Sequence, residues 1–203
     1  SSAASDVYKR QIDNIEDEDV RDFFKLCMAS IIKKVSNADD TSPKPYVSNK
    51  IIKVPPTVEK EFTSVFRRYK QMMQELTHVK KMGNTVIIQG DALEFSVPLG
   101  IDLAITSPPY INAFDYGRTM RLENLWLDTL TEEMLREKKS QYVGTEKINT
   151  EEEKSELGIL GKSDLLKVYY NQIAEQDEKR ALIVKKFFED MEDNLRCVYS
   201  QMN

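Results

Sequence analysis

Of the 203 residues, two are cysteine and one is histidine. Cys27 and Cys197 lie far apart in helical patterns, which gives no disulfide framework, and a single imidazole cannot anchor a zinc site. No apolar run approaches the roughly 20 residues of a membrane span. The opening residues lack the apolar centre of a secretory signal. These absences lead to the expectation of a cytoplasmic protein with no metal and no membrane partner. A surplus of positive charge is missing too, since the net charge is −5. That sign argues mildly against a nucleic-acid partner, but local patches and not the total set phosphate affinity. Basic residues gather over 44–81, notably Arg67, Arg68, Lys70, Lys80 and Lys81, and the acidic excess lies at 13–19 and 146–156. Finally, no glycine-rich loop such as Gly-x-Gly joins a strand to a helix, and no internal repeat is visible.

The remainder is ordinary for a soluble chain, 40% apolar and 31% charged, and its length allows one domain with a real core. Residues 1–11 resemble a translated sequencing-adapter scar and are expected to be disordered. Over 13–35, Val20, Phe23, Phe24, Cys27, Ile31 and Val35 recur at three- and four-residue steps, which predicts a helix. Residues 36–56, punctuated by four prolines, read as a loop whose cluster Ser36-Asn-Ala-Asp39 has little reason to be packed. It is either a plain connector or a loop facing a ligand. Thr57 can cap a second helix reaching Met82 before Gly83, with Val58, Phe62, Val65, Phe66, Tyr69, Met73, Leu76 and Val79 as its core stripe. Arg67, Arg68 and Lys70 are a solvated face or phosphate contacts, and His78 reads as structural. Further helices are expected over 116–130 and 131–139. The polar stretch 140–161 reads as a partly ordered, mobile insertion. Two final helical stripes follow Ser163, broken near 175–179.

The chain is organised around Ile101-Asp-Leu-Ala-Ile-Thr-Ser-Pro-Pro-Tyr110. Its apolar alternation predicts an inner strand over 102–106, and 85–89 predicts another. The diproline ends the ladder, because neither proline has an N–H to donate and each extends the residue before it. Ser107 then offers a hydroxyl and Tyr110 a ring at the carboxyl edge of a strand, where open α/β sheets bind ligands.

Ser107-Pro108-Pro109-Tyr110 after an apolar strand resembles the catalytic motif of the amino-methylating DNA methyltransferases. Val86-Ile-Ile-Gln-Gly-Asp91 upstream strengthens the likeness, as does the run from Tyr110 to Leu127 downstream. The resemblance covers about residues 84–128. It implies an α/β fold: a helix-rich, partial Rossmann-like methyltransferase domain over 12–203 with a small parallel sheet of about two strands. It implies S-adenosylmethionine as cofactor, with Asp91 beside Gly90 binding the cofactor's adenine amine, although Asp91 also reads as a turn or cap aspartate. Double-stranded DNA with a flipped base is the implied partner. Ser107 and the Pro108 carbonyl, in a geometry stiffened by Pro109, would accept the hydrogens of the target amine, while Tyr110 stacks on the base. Asn112, Asp115, Tyr116, Arg118 and Arg121 would line the pocket or contact phosphates, or else serve as caps and surface ion pairs. Serine in the first motif position tilts the target toward cytosine N4 over adenine N6.

The family's sheet has more strands than the two convincing ones here. The chain is therefore expected to be an internal fragment, inactive by itself, of a restriction-modification or solitary bacterial enzyme whose remaining part carries the glycine loop. An RNA amino-methyltransferase and a non-catalytic helical nucleic-acid- or protein-binding module remain as alternatives.

Overall fold

The computed structural model describes residues 3–50, 52–79, 83–98, 100–111, 116–155 and 157–203. The chain divides into two compact units, Ser1–Thr85 with Tyr116–Leu135, and Val86–Asp115 with Arg136–Asn203.

The first unit is helical. It contains α1 (Ala3–Asp13), α2 (Glu18–Ala29), α3 (Ile32–Val35), α4 (Val58–Leu76), α5 (Tyr116–Thr119) and α6 (Arg121–Trp126). Residues 1–11 were expected to be disordered, yet the chain is helical from Ala3 onward. Ile12 is 4% exposed and the Tyr8 ring lies 5.1 Å from Phe62. These two residues are four apart, so they fall on one helix face and bury together.

The helix expected over 13–35 is two pieces. Asp17 caps α2 by accepting from the Val20 amide at 3.0 Å. The Ser30 hydroxyl donates to the Cys27 carbonyl at 2.8 Å, a local bond that competes with helix continuation. The core joins Ile12, Cys27, Met28, Ile31, Val35, Val58 and Val65. Phe24 stacks on Phe62 and Phe66 at 6.0 and 5.6 Å, which pins α2 to α4.

The helix α4 stops at Leu76, short of the expected end, and Lys80–Met82 lie outside the described residues. The Thr77 hydroxyl donates to the Gln74 carbonyl at 2.6 Å and closes the last turn. Met73, Leu76 and Val79, expected in the core, are about half exposed. His78 sits exposed just past this end.

The loop 36–56 also departs from expectation, because Ala38 and Asp39 are buried. The Asp39 carboxylate accepts from the Thr41 amide (2.7 Å), the Thr41 hydroxyl (2.6 Å) and the Tyr46 hydroxyl (3.1 Å). Lys53 donates to the carbonyls of Lys33 (3.0 Å) and Ala38 (2.9 Å) and to Asp40 (2.8 Å). A polar cluster buries once its members satisfy one another.

The single helix expected over 116–130 is broken at Met120, which leaves α5 and α6. As expected, Thr131 caps the next helix, α7 (Glu132–Lys138), accepting from the Met134 amide at 3.2 Å.

The second unit contains α8 (Thr150–Lys154), a 3-10 turn (Gly158–Gly161), α9 (Asp164–Ala174) and α10 (Glu178–Ser200). Ser163 caps α9 and Asp177 caps α10, and the helices part near the expected break. The described part of the 140–161 stretch is ordered around Lys185, whose side chain is 4% exposed. Its ammonium donates to the Glu153 carbonyl at 2.8 Å and lies 3.4 Å from the carboxylates of both Glu153 and Glu189.

Helices dominate, as the resemblance implied, but the expected two-stranded sheet is absent among the described residues. Neither 85–89 nor 102–106 forms a strand, and one isolated parallel bridge joins Ile101 to Met202. Strand segments hold only when neighbours take their backbone groups and cover their faces. Here Val86, Ile87, Leu103 and Ile105 remain exposed.

Candidate functional site

The motif segment is positioned by the carboxyl half of α10. Asn194 donates to the Ala92 carbonyl at 2.6 Å. The Cys197 thiol accepts from the Phe95 amide at 3.5 Å and donates to its carbonyl at 3.3 Å. The Gln201 side chain accepts from the Val97 amide at 3.2 Å. Asn194, Cys197 and Gln201 follow one helix face, at spacings of three and four, and together grip the backbone of 92–97. The Ile101–Met202 bridge then fixes the start of the motif strand segment.

Beyond that bridge the chain runs out extended. Ser107, Pro108 and Tyr110 are exposed and Pro109 is half-buried. The Ser107 hydroxyl has no partner among the described residues. The Tyr110 ring is open, at 68% exposure, and the Tyr110 backbone rests against Gly144. A methyl group added at Gly144 would stand 3.4 Å from the Tyr110 carbonyl oxygen and 3.3 Å from the Phe187 ring. Gly144 also has φ +78°, a left-handed conformation that glycine adopts without strain.

At the other end of the gripped segment, Asp91 is exposed. One of its carboxylate oxygens accepts from the Leu93 amide at 2.9 Å, closing an Asx turn. Its other oxygen has no partner among the described residues. The space above Gly90 is open, with only the Phe95 side chain at 3.9 Å. A carboxylate with one oxygen fixed and one available fits an amine donor such as the adenine of S-adenosylmethionine.

The expected nucleic-acid residues fall in the other unit or outside the description. Asn112 and Asp115 lie outside the described residues. Tyr116 and Arg118 are exposed on α5. Arg121 is held by Glu132, its Nε 2.8 Å from the carboxylate, the surface ion pair weighed above as the plain alternative. On α4, the Arg68 guanidinium lies 5.1 Å from the Tyr69 ring. The first unit also holds a cavity of ≈ 330 Å³ beside Trp126, whose polar lining comes from Ser5, Asp6 and Lys9 of α1 and from Ser36. Among the described residues, no group of three or more His, Cys, Asp or Glu side chains could hold a metal ion, and no helix is long and apolar enough to cross a membrane.

Sequence reasoning missed Gly144 and the trio Asn194, Cys197 and Gln201. The trio's one signal was polar spacing along a helix otherwise read for its apolar stripe.

The type II methyltransferase M.MvaI of Kocuria varians is 26% identical over 208 residues, covering 94% of this chain and 45% of the relative. The chain thus spans about half the length of that protein. No family model matches the chain, and no solved structure does. The likeness supports a methyltransferase relationship.

Proposed function

We propose that this chain carries the catalytic loop of a DNA methyltransferase that transfers a methyl group from S-adenosylmethionine to the exocyclic amine of a flipped base, cytosine N4 in preference to adenine N6. The observation that carries the reading is the Ser107–Tyr110 loop. It leaves a backbone gripped by α10 with its hydroxyl without a partner among the described residues and its ring open. The methyltransferase relative, which aligns over 94% of the chain, adds support.

When bound, S-adenosylmethionine supplies an electrophilic methyl group on a sulfonium. The chain's residues do the rest. A conjugated amine is a poor nucleophile, and its lone pair is freed when acceptors take its hydrogens. Ser107 Oγ and the Pro108 carbonyl are those acceptors, and they stabilise the positive charge that develops on nitrogen during attack. With the cofactor bound, these acceptors would hold the amine for attack on that methyl group, and the proton the amine gives up would pass to solvent. Tyr110 stacks on the extruded base. Asp91 holds the cofactor's adenine amine through its available oxygen. Tyr116, Arg118 and Asn112 serve the DNA side. Arg121 joins them once it exchanges Glu132 for a phosphate.

The test uses the intact enzyme that contains this segment, incubated with DNA and cofactor, followed by digestion to nucleosides. N4-methylcytosine is the expected product. N6-methyladenine would overturn the base assignment and leave the mechanism. Wild-type turnover in both Ser107→Ala and Tyr110→Ala would remove the catalytic reading of the loop.

A further inference from the structure

The motif loop meets α10 at both of its ends. On the entry side, Asn194, Cys197 and Gln201 hold the backbone of 92–97 directly. On the exit side the contact is indirect. Gly144 stands between the backbone of Tyr110 and Ile111 and the ring of Phe187 on α10. No hydrogen bond among the described residues holds the backbone of 107–111. Packing against Gly144 is therefore what locates Tyr110.

The seat is fixed from within. The Thr145 amide donates to the Tyr142 carbonyl at 3.0 Å. The Thr145 hydroxyl donates to the Lys139 carbonyl at 2.6 Å and accepts from the Lys147 amide at 3.2 Å. Gly144 takes φ +78° inside this turn, where a residue with a Cβ is strained. Behind the turn, Phe187 is 8% exposed and meets the Phe188 ring edge-on at 5.4 Å. A close-packed buried ring yields little.

A side chain at 144 would thus find one wall fixed and the other free. Its Cβ would stand 3.3 Å from Phe187, 3.4 Å from the Tyr110 carbonyl oxygen and 3.5 Å from the Ile111 Cα. Carbon atoms settle at about 3.5–4.0 Å from one another. The seat must thicken by a few tenths of an ångström, and the exposed loop is the side that gives.

We propose that Gly144 is a positioning residue. Its missing side chain sets the distance of Tyr110 from α10, and so the place where the ring meets the extruded base. This role rests on the catalytic reading of the loop given above, and it adds a residue that touches neither base nor cofactor.

The test uses the intact enzyme that contains this segment, with kcat/KM for DNA and the thermal midpoint measured for each variant. Gly144→Ala and Gly144→Asn put the same Cβ on the seat, but asparagine tolerates the left-handed backbone better. A misplacement of about 1 Å can cost on the order of 10²-fold, so a few tenths should cost about fivefold. Both variants should show that loss, with the asparagine variant melting higher than the alanine one. In a Tyr110→Ala background the same substitutions should cost less than about twofold, because the ring they displace is gone. Equal losses in the two backgrounds overturn the proposal, as does wild-type turnover in Gly144→Asn, because general strain at Gly144 then accounts for the effect. Wild-type turnover in Gly144→Ala beside an impaired Tyr110→Ala overturns it and leaves the catalytic loop in place. Wild-type turnover in Tyr110→Ala overturns this role together with the stacking role of Tyr110.

Discussion

The Ser107 hydroxyl and the Tyr110 ring stand exposed on the same loop, yet their substitutions separate by mechanism. In the intact enzyme Ser107→Ala removes an acceptor that matters when charge develops. It should cut turnover by about 2.7–4 kcal/mol of barrier with DNA binding nearly unchanged. Tyr110→Ala should weaken base capture by roughly 1–3 kcal/mol, and Tyr110→Phe should be mild because the ring does the stacking. Steady-state kcat and DNA Kd measured on each variant check this split. Two residues of the first unit carry pH signatures. Burial pushes the Cys27 thiol up to about 11. The unfolded thiol ionises near about 8.5, so Cys27's contribution to stability is full below that pH and is lost as pH rises toward 11. Urea midpoints between pH 7 and 10.5 should fall for the wild type and less for Cys27→Ala. Hydrogen bonds from Thr41 hold the Asp39 carboxyl below the usual carboxylate range. Its hold on the 36–56 loop is therefore present above the unfolded value of about 3.9 and is lost as pH falls through the lower folded value. Thr41 amide exchange, followed through an acid titration, should show protection persisting to below that point.

At the scale of elements, α10 is the scaffold of the motif segment. Replacing Asn194 and Gln201 together by alanine leaves the Ala92 carbonyl and Val97 amide without partners, at about 1 kcal/mol for each bond lost. Exchange at Val97 should accelerate while the core of the first unit keeps its protection. In the second unit, Lys185→Met should loosen α8 and the following 3-10 turn, because the Glu153 carbonyl loses its donor. Proteolysis within 150–161 would report that change. The α10 scaffold was partly legible from residues alone. Its apolar stripe, the cap Ser163 of the preceding helix α9 and the break between the last two helices followed from local chemistry. So did the Ser107–Tyr110 loop, since proline punctuation acts on its own neighbours. The grip by Asn194, Cys197 and Gln201 was not legible, because its partners are backbone atoms 102 or 104 residues away, and backbone atoms leave no compositional trace. The strands failed for a related reason. Alternation at Leu103 and Ile105 gives a strand its faces, but the pairing partner must come from elsewhere. The second half of α4 misled in the opposite sense, since Met73 and Leu76 keep helical spacing where nothing described covers them.

For the molecule as a whole, the exposed apolar surface has a measurable consequence. Ile87 and Ile105 are 91% and 87% exposed, well beyond the scattered apolar residues a monomer normally shows. Sedimentation of the 203-residue chain should reveal concentration-dependent association, and an ideal monomer at high concentration would contradict that expectation. On the proposed reading Asp91 would offer one contact to S-adenosylmethionine, so calorimetry with this chain alone should register weak binding or none. Low-micromolar affinity would point to cofactor contacts beyond Gly90 and Asp91. The grip of α10 on 92–97 also sets a schedule for biosynthesis. Phe95 leaves the ribosome 102 residues before Cys197. At roughly 5–20 residues per second, the motif segment waits about 5–20 s for the helix that will hold it. Through that interval the nascent chain presents Val86, Ile87, Leu103 and Ile105 to whatever chaperone reaches them first.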